Sequence, residues 1–337
     1  MNLIDRPATA PSSGAGVAGA RLPVRVAARR IEALDIASFE LVDPRGRELP
    51  SFSAGSHIDV HLAGGITRQY SLCNDPGENH RYRIAVLRDP GSRGGSVALH
   101  DGVQVGDLLE ISAPRNHFHL AEEAQHSLLL AGGIGVTPIL CMAQRLSATG
   151  ASFEMHYGAR SRERMAFADH VAASSFAARV HMHLDDGPAV QRYDLAALLA
   201  APRPGVHMYV CGPKGFIDAA LQTARGNGWP EDQLHYEFFA GDTGPGDAAE
   251  SFEVRLARSG RVIKVDKEDT VTSALHACGI ELETSCEQGV CGTCLTRVLD
   301  GVPDHRDLYL TPQERAANDQ FLPCVSRSKS AVLVLDL

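Results

Sequence analysis

Ser285-Cys286-Glu287-Gln288-Gly289-Val290-Cys291-Gly292-Thr293-Cys294 is the stretch on which the reading of this chain turns, and Cys324 completes it. The spacing is C-x4-C-x2-C, then twenty-nine residues, then a fourth cysteine. That is the plant-type spacing of a 2Fe–2S cluster. Two irons and two bridging sulfides need four outer thiolates, and a short loop brings three of them to one side. The fourth returns from elsewhere in the fold. Gly289 and Gly292 stand where a chain wrapping a cluster needs unrestricted φ and amides aimed at sulfur. A zinc site or a disulfide pair is the bland alternative, but structural zinc favours paired C-x2-C ligands, which the x4 gap is not. Cys286, Cys291, Cys294 and Cys324 are therefore the expected metal ligands, and the chain is expected to move single electrons.

The composition excludes several other classes. At 337 residues the length suits two or three domains, each with its own core. A net charge of −9 argues against a nucleic-acid surface. No apolar run approaches the ~18–20 residues of a membrane span. The first twenty residues, rich in Ala, Gly, Ser and Pro, lack the apolar core of a signal peptide and read as a disordered lead-in. The other cysteines (Cys73, Cys141, Cys211 and Cys278) have no framework spacing, which suits a reducing cytoplasm.

Outward from the cysteines, the chain has three textures. Residues 21–122 hold short alternating stretches, Leu22 to Ala28, Ser56 to Leu62, Tyr82 to Leu87 and Leu108 to Ser112, punctuated by Gly and Pro. They predict a small antiparallel barrel. Residues 123–240 alternate apolar strands with helical stretches, which predicts a parallel α/β sheet. Residues 241–250 are rich in Gly and Asp and read as a linker to a domain over 251–337.

Four motifs carry chemistry. Leu128-Leu129-Leu130-Ala131-Gly132-Gly133-Ile134-Gly135-Val136-Thr137-Pro138 is a strand running through glycines into a helix, with Thr137 as N-cap and Pro138 at N1. Such a turn can accept a diphosphate at a helix N-terminus, or be an ordinary tight turn. Tyr209-Val210-Cys211-Gly212-Pro213 puts a thiol and a glycine at the carboxyl edge of the same sheet, where ligands of open α/β sheets bind. Arg68-Gln69-Tyr70-Ser71 ends one strand, and Ser92-Arg93-Gly94-Gly95-Ser96 opens a helix with Ser96 able to cap it. The second is a ready phosphate cradle. Taken singly, each also reads as a strand end or a turn.

The order of these motifs, with Pro114 to Phe118 and Glu237-Phe238-Phe239, resembles the phthalate dioxygenase reductase family, which includes the vanillate demethylase reductases. The resemblance covers residues 21–337. It implies a flavin-binding antiparallel β-barrel, a Rossmann-like parallel α/β nucleotide domain and a β-grasp 2Fe–2S ferredoxin domain, with FMN, NADH and the cluster as cofactors. Arg68, Gln69, Tyr70 and Ser71 would contact the isoalloxazine and ribityl chain, with Ala85 and Val86 also at the flavin. Ser71 would stand near flavin N5. Arg93, Gly94, Gly95 and Ser96 would hold the phosphate. Thr137 would lie near the flavin, Gly133 and Gly135 along the NADH diphosphate, and Cys211 and Gly212 beside the nicotinamide. Phe239 would pack on the flavin and shift when nicotinamide enters.

A nicotinamide gives two electrons as hydride and the cluster accepts one at a time, so a flavin belongs between them. The protein then mainly positions rings, with Ser71, Cys211 and Phe239 closest to the chemistry and no general base expected. The implied function is an NADH-dependent reductase for a separate oxygenase, most naturally a Rieske-type aromatic hydroxylase or demethylase. A cytochrome P450 or other monooxygenase is the alternative partner, and a redox-sensing module the alternative class. Arg160, Ser161, Arg162 and Arg164 can grip the 2′-phosphate of NADPH or form a solvated turn, and the resemblance favours NADH. The pairs His117/His119 and His181/His183 are assigned to solvent or packing, since no carboxylate stands at ligand spacing.

Overall fold

The computed structural model describes residues 21–89, 91, 94–239 and 250–337. The lead-in, Arg93 and residues 241–249 of the linker lie outside the described residues.

Seven strands build the first unit: β1 (Leu22–Ala33), β2 (Ile36–Val42), β3 (Ser56–His61), β4 (Thr67–Ser71), β5 (Tyr82–Leu87), β6 (Leu108–Ile111) and β7 (Arg115–Asn116). They pair antiparallel in the order β4-β3-β6-β1-β2-β5, with β7 on β3. A bridge between Leu72 and Ile84 joins the two ends and closes the barrel. Alternation predicts β1, β3, β5 and β6. Sequence reasoning misses β2, although Ala37-Ser38-Phe39-Glu40-Leu41 alternates apolar with polar residues; the first four residues of the strand are all buried, the polar Ser38 among them. Helix α1 (Gly95–Gly102) starts from Gly94, which is the N-cap at φ +90°. Ser96 does not cap it. One position into the helix, its Oγ accepts from the Asp89 amide at 3.2 Å.

The second unit runs β8 (His126–Gly132), α2 (Val136–Ala148), β9 (Phe153–Ala159), α3 (Ala168–Ala172), β10 (Val180–Leu184), α4 (Leu195–Leu198), β11 (Val206–Cys211), α5 (Lys214–Gly226) and β12 (Leu234–Glu237). Its five strands are all parallel, in the order β10-β9-β8-β11-β12. Leu128, Leu129 and Leu130 of β8 are fully buried because helices cover both faces. Ile217, Ala220, Leu221 and Ala224 form the buried stripe of α5 at helical spacing. The order reverses between β8 and β11, so the ends of these two strands, Gly132 and Cys211, flank a topological switch point. The helix after β8 begins earlier than its sequence suggests. A 3-10 turn over Gly133–Gly135 leads into α2 with Gly135 as N-cap, and Thr137 Oγ1 instead donates to the Ile134 carbonyl at 3.1 Å.

Barrel and α/β unit share one apolar core. Ile36, Ala54, Cys73, Ala85 and Phe118 pack in the same cluster as Val136, Tyr209 and Cys211. The third unit has its own core: β13 (Phe252–Leu256), β14 (Val262–Val265), α6 (Val271–Ala277), β15 (Thr296–Asp300), β16 (Pro303–Asp304), α7 (Pro312–Ala317), β17 (Gln320–Phe321), β18 (Arg327–Ser328) and β19 (Val332–Leu335). The main sheet, β14-β13-β19-β15-β17, is mixed, with β13 parallel to β19 and α6 laid on one face, a β-grasp arrangement. Capping boxes at Thr270/Ser273 and Thr311/Glu314 start its two short helices.

Phe39 is fully buried at the centre of the barrel, edge-on to His100 and under the Arg29 guanidinium. Phe39→Ala is expected to cost about 3–5 kcal/mol, read as a lower denaturation midpoint of the holoprotein.

Candidate functional site

The cysteine loop follows α6 and lies against residues 307–309, where Leu308 N–H donates to the Gly289 carbonyl at 2.9 Å. Cys286, Cys294 and Cys324 are buried and Cys291 is partly exposed. The thiols meet in two pairs, Cys286 with Cys291 and Cys294 with Cys324, and these contacts hold the Cys291 and Cys294 thiols below their ordinary range. Gln288 N–H donates to Cys286 Sγ at 3.2 Å, the amide-to-sulfur bond expected around a cluster. Gly289 and Gly292 both have positive φ, and a Cβ would strike Val325 at one and the Tyr309 ring at the other. Two pairs of soft thiolates fit a two-iron cluster.

The loop rests on the barrel through polar contacts. Ser285 Oγ donates to Asp59 Oδ1 at 2.6 Å and accepts from Gln69 Nε2 at 2.9 Å. Asp59 Oδ2 is held by Arg115 at 2.5 Å. Arg68 Nη1 meets Glu287 Oε2 at 3.0 Å. A Cβ on Gly95 would collide with the Arg68 side chain, so the glycine at the head of α1 makes room for that arginine.

Where the three units meet is a cavity of about 150 Å³. Arg68, Gln69 and Ser71 line its barrel side, Glu237, Phe238 and Phe239 its α/β side, and Cys286 and Cys291 its third wall. Ser71 Oγ donates to Glu237 Oε2 at 3.4 Å. Burial pushes the Glu237 carboxyl up to about 8, against the smaller opposing effect of that hydrogen bond. Cys211 is buried, and burial, followed by the nearby Glu237, pushes its thiol well up.

A larger cavity, about 550 Å³, opens at the carboxyl edge of the parallel sheet. Gly132, Gly133, Gly212 and Lys214 line it, with Arg160, Arg164 and Asp185. Phe238 and Phe239 line both cavities and so stand between them. A Cβ added to Gly133, at φ +52°, would meet nothing within 4 Å, whereas one added to Gly135 would collide with the Cys211 carbonyl. Gly133 thus faces open space, while Gly135 lets the helix start press on β11.

The structure brings Arg68, Gln69, Ser71 and Phe239 to one cavity and Gly133, Gly212 and Phe239 to the other. Tyr70 packs partly buried against the barrel core, and Val86 lies within it. Ala85, Thr137 and Cys211 are buried at the seam between barrel and sheet. Arg93 lies outside the described residues. Sequence reasoning misses Glu237, Asp185, Asp59 and Ser285 as site residues. Glu237 opens the Glu-Phe-Phe motif, but nothing in the sequence tells of its burial.

A cavity at a parallel-sheet switch point, joined through two phenylalanines to a second cavity walled by two of the four clustered cysteines, defines an electron-transfer oxidoreductase. Residues 254–329 match the 2Fe-2S iron-sulfur cluster binding domain family, and residues 112–234 the N-terminal domain family of dimethylamine monooxygenase subunit DmmA-like proteins. The chain is 52% identical over 316 residues to a vanillate O-demethylase oxidoreductase of a Pseudomonas species, covering 94% of this chain and 100% of that one. It is 39% identical to the phthalate dioxygenase reductase of Burkholderia cepacia, covering 94% and 97%. The chain belongs to the vanillate O-demethylase oxidoreductase and phthalate dioxygenase reductase family. The solved structure of a phthalate dioxygenase reductase, described as modular for electron transfer from pyridine nucleotides to a 2Fe–2S centre, superposes with a TM-score of 0.80 at 39% identity, covering 94% of this chain and 98% of that one. An intact type IV self-sufficient cytochrome P450 monooxygenase matches at TM-score 0.74 and 41% identity, covering 94% of this chain and 41% of its own. Among the described residues no helix is long and apolar enough to cross a membrane.

Glu237 yields a pH prediction. In the unfolded chain its carboxyl ionises in the ordinary carboxylate range, while the folded state keeps the proton up to about 8. Stability therefore falls as pH rises through that window and levels off above it. Glu237→Gln is expected to flatten this dependence, measured as denaturation midpoints from acid to mildly alkaline pH.

Proposed function

We infer that this chain carries electrons from NADH through FMN to a 2Fe–2S cluster and on to a separate Rieske-type oxygenase, an aromatic O-demethylase or hydroxylase. The observation that carries this reading is the cavity whose walls are Ser71 of the barrel, Phe239 of the α/β unit and Cys286 and Cys291 of the cysteine loop. Bound flavin supplies the conversion of a hydride pair into single electrons.

The chain's own residues then have separable tasks. Arg68, Gln69 and Ser71 would line the flavin seat, with Tyr70, Ala85 and Val86 backing it from the barrel, and Gly94, Gly95 and Ser96 at the head of α1, with Arg93 beside them, would take its phosphate. Ser71 would offer its hydroxyl to the flavin near N5, and Glu237 would keep a proton next to it. Gly133 and Gly135 form the diphosphate turn, Thr137 sits behind the flavin, and Cys211 and Gly212 border the nicotinamide. Phe239, which lines both cavities, would cover the flavin and would have to give way for the nicotinamide. Cys286, Cys291, Cys294 and Cys324 ligate the irons. Residues 21–122, 123–240 and 251–337 are the flavin, nucleotide and cluster units, and 241–250 links the last two. The chain works in the cytoplasm, where free thiols stay reduced.

Two relatives named for vanillate O-demethylation exceed half identity, at 52% and 53%, which supports a methoxylated aromatic acid as the oxygenase's substrate. The likeness to a self-sufficient P450 supports a second reading, with a P450 as acceptor.

With purified holoprotein, NADH is expected to reduce both ferricyanide and cytochrome c. Cys294→Ser should remove the cluster, because hard oxygen replaces soft thiolate, and abolish cytochrome c reduction while sparing ferricyanide. Cys278→Ser should spare both. Cytochrome c reduction that survives loss of the iron would refute the cluster as the exit.

Nucleotide choice has its own test. Arg162 is paired to Asp169 at 2.8 Å and Arg164 to Asp35 at 3.3 Å, while the Asp185 carboxylate repels a 2′-phosphate from the same cavity. kcat/KM is expected to be higher with NADH than with NADPH, and Asp185→Ser to narrow the gap. A wild-type preference for NADPH would reverse this assignment.

A further inference from the structure

The β9–β10 edge of the parallel sheet holds a cluster that the electron path does not use. Glu154 and His156 are two residues apart on β9 and share one face. His181 on β10 is the direct register partner of His156. One ligand atom from each of the three lies within 4.8 Å of the other two. The carboxylate that ligand spacing failed to supply for the His181/His183 pair thus arrives from the neighbouring strand.

His156 is the key observation. It is only 6% exposed, and its Nε2 is buried with no hydrogen-bond partner among the described residues. Its Nδ1 lies 2.9 Å from His183 Nε2. With Nδ1–H donating to His183, the lone pair falls on Nε2, the arrangement of a metal-binding histidine whose other nitrogen is held by a neighbour. A buried polar atom without a partner is costly, and a cation satisfies it. Burial and the two neighbouring histidines depress the His156 imidazole to about 4, so it is neutral in ordinary buffers.

The other groups on this face are accommodated. His181 stacks on His156 with ring centroids 4.7 Å apart, and His181 is exposed, so an ion can enter from solvent. Arg203 meets Glu154 Oε1 at 3.0 Å and His126 lies 3.7 Å from the same oxygen. A carboxylate can engage an arginine through one oxygen and a metal through the other. Tyr193 fixes the strand by donating to the His156 carbonyl at 2.7 Å, and its ring stacks on His183.

We propose that Glu154, His156 and His181 form a binding site for a borderline divalent transition-metal ion of the zinc or copper type, with His183 orienting His156. Two imidazoles and a carboxylate leave a coordination position for water, and this nitrogen-rich set disfavours magnesium and calcium. The site lies apart from the cysteine loop and is independent of the cluster.

The test uses holoprotein with its cluster and flavin in place, in a Cys278→Ser background that removes the exposed thiol. Titration with Zn²⁺ should give one ion per chain. His181→Ala, at an exposed position, and Glu154→Gln should each weaken it by about tenfold or more, and His183→Ala by ~10–100-fold, with flavin content and cluster absorbance unchanged. With Cu²⁺ on the oxidised protein, electron paramagnetic resonance should show coupling to two imidazole nitrogens, falling to one in His181→Ala. Absence of stoichiometric zinc binding, the same affinity in both ligand variants, or a copper signal unaffected by His181→Ala would overturn the assignment.

Discussion

The contact on which the rest of this molecule depends is the one between Asp59 and Ser285. Ser285 immediately precedes Cys286, and its hydroxyl donates to an aspartate on β3 that is itself clamped by Arg115. Fixing the residue before the first thiol fixes the whole loop, because Cys291 and Cys294 follow within nine residues. Gln69–Ser285 and Arg68–Glu287 are further polar contacts across the same seam. Polar seams are specific in register yet weaker than a shared core. Barrel and parallel sheet, by contrast, are fused through one apolar cluster. Two units are thus bonded as one body, and the third is docked by directional contacts beside the cavity it serves.

Phe238 and Phe239 are the second constraint. They follow β12 and line both the sheet-edge cavity and the cavity beside the cysteines. An aromatic ring between a nucleotide site and a redox site excludes water from both and can move by rotation about its side-chain bonds. Glu237, one residue earlier, adds a carboxyl that burial keeps protonated next to Ser71. Ring packing and a held proton therefore come from three consecutive residues at the end of one strand.

The parallel sheet has two chemically different zones. Its carboxyl edge is built of glycines and open space, suited to a flexible anionic ligand. The β9–β10 edge is lined with imidazoles: His156 stacks on its register partner His181 and on His183 two residues along. Parallel pairing sets residues of neighbouring strands side by side, so a histidine on one strand meets a histidine on the next however far apart they lie along the chain.

Local spacing alone determined the cysteine loop, because three of its thiols lie within one turn of chain and any fold that closes the loop brings them together. The same holds for the glycine turn after β8 and for β1, β3, β5 and β6, whose apolar and polar residues alternate along the chain. The start of α2 differs from the expected one because the glycines form a 3-10 turn before Thr137 can cap. What only the tertiary structure decided were pairings between residues far apart in sequence: Asp59 with Ser285, Ser71 with Glu237, Glu154 with His181. None of these has a sequence period. Each depends on register between strands or on the docking of separate units, and burial, which sets the Glu237 carboxyl and the His156 imidazole, exists only once those units have closed around them.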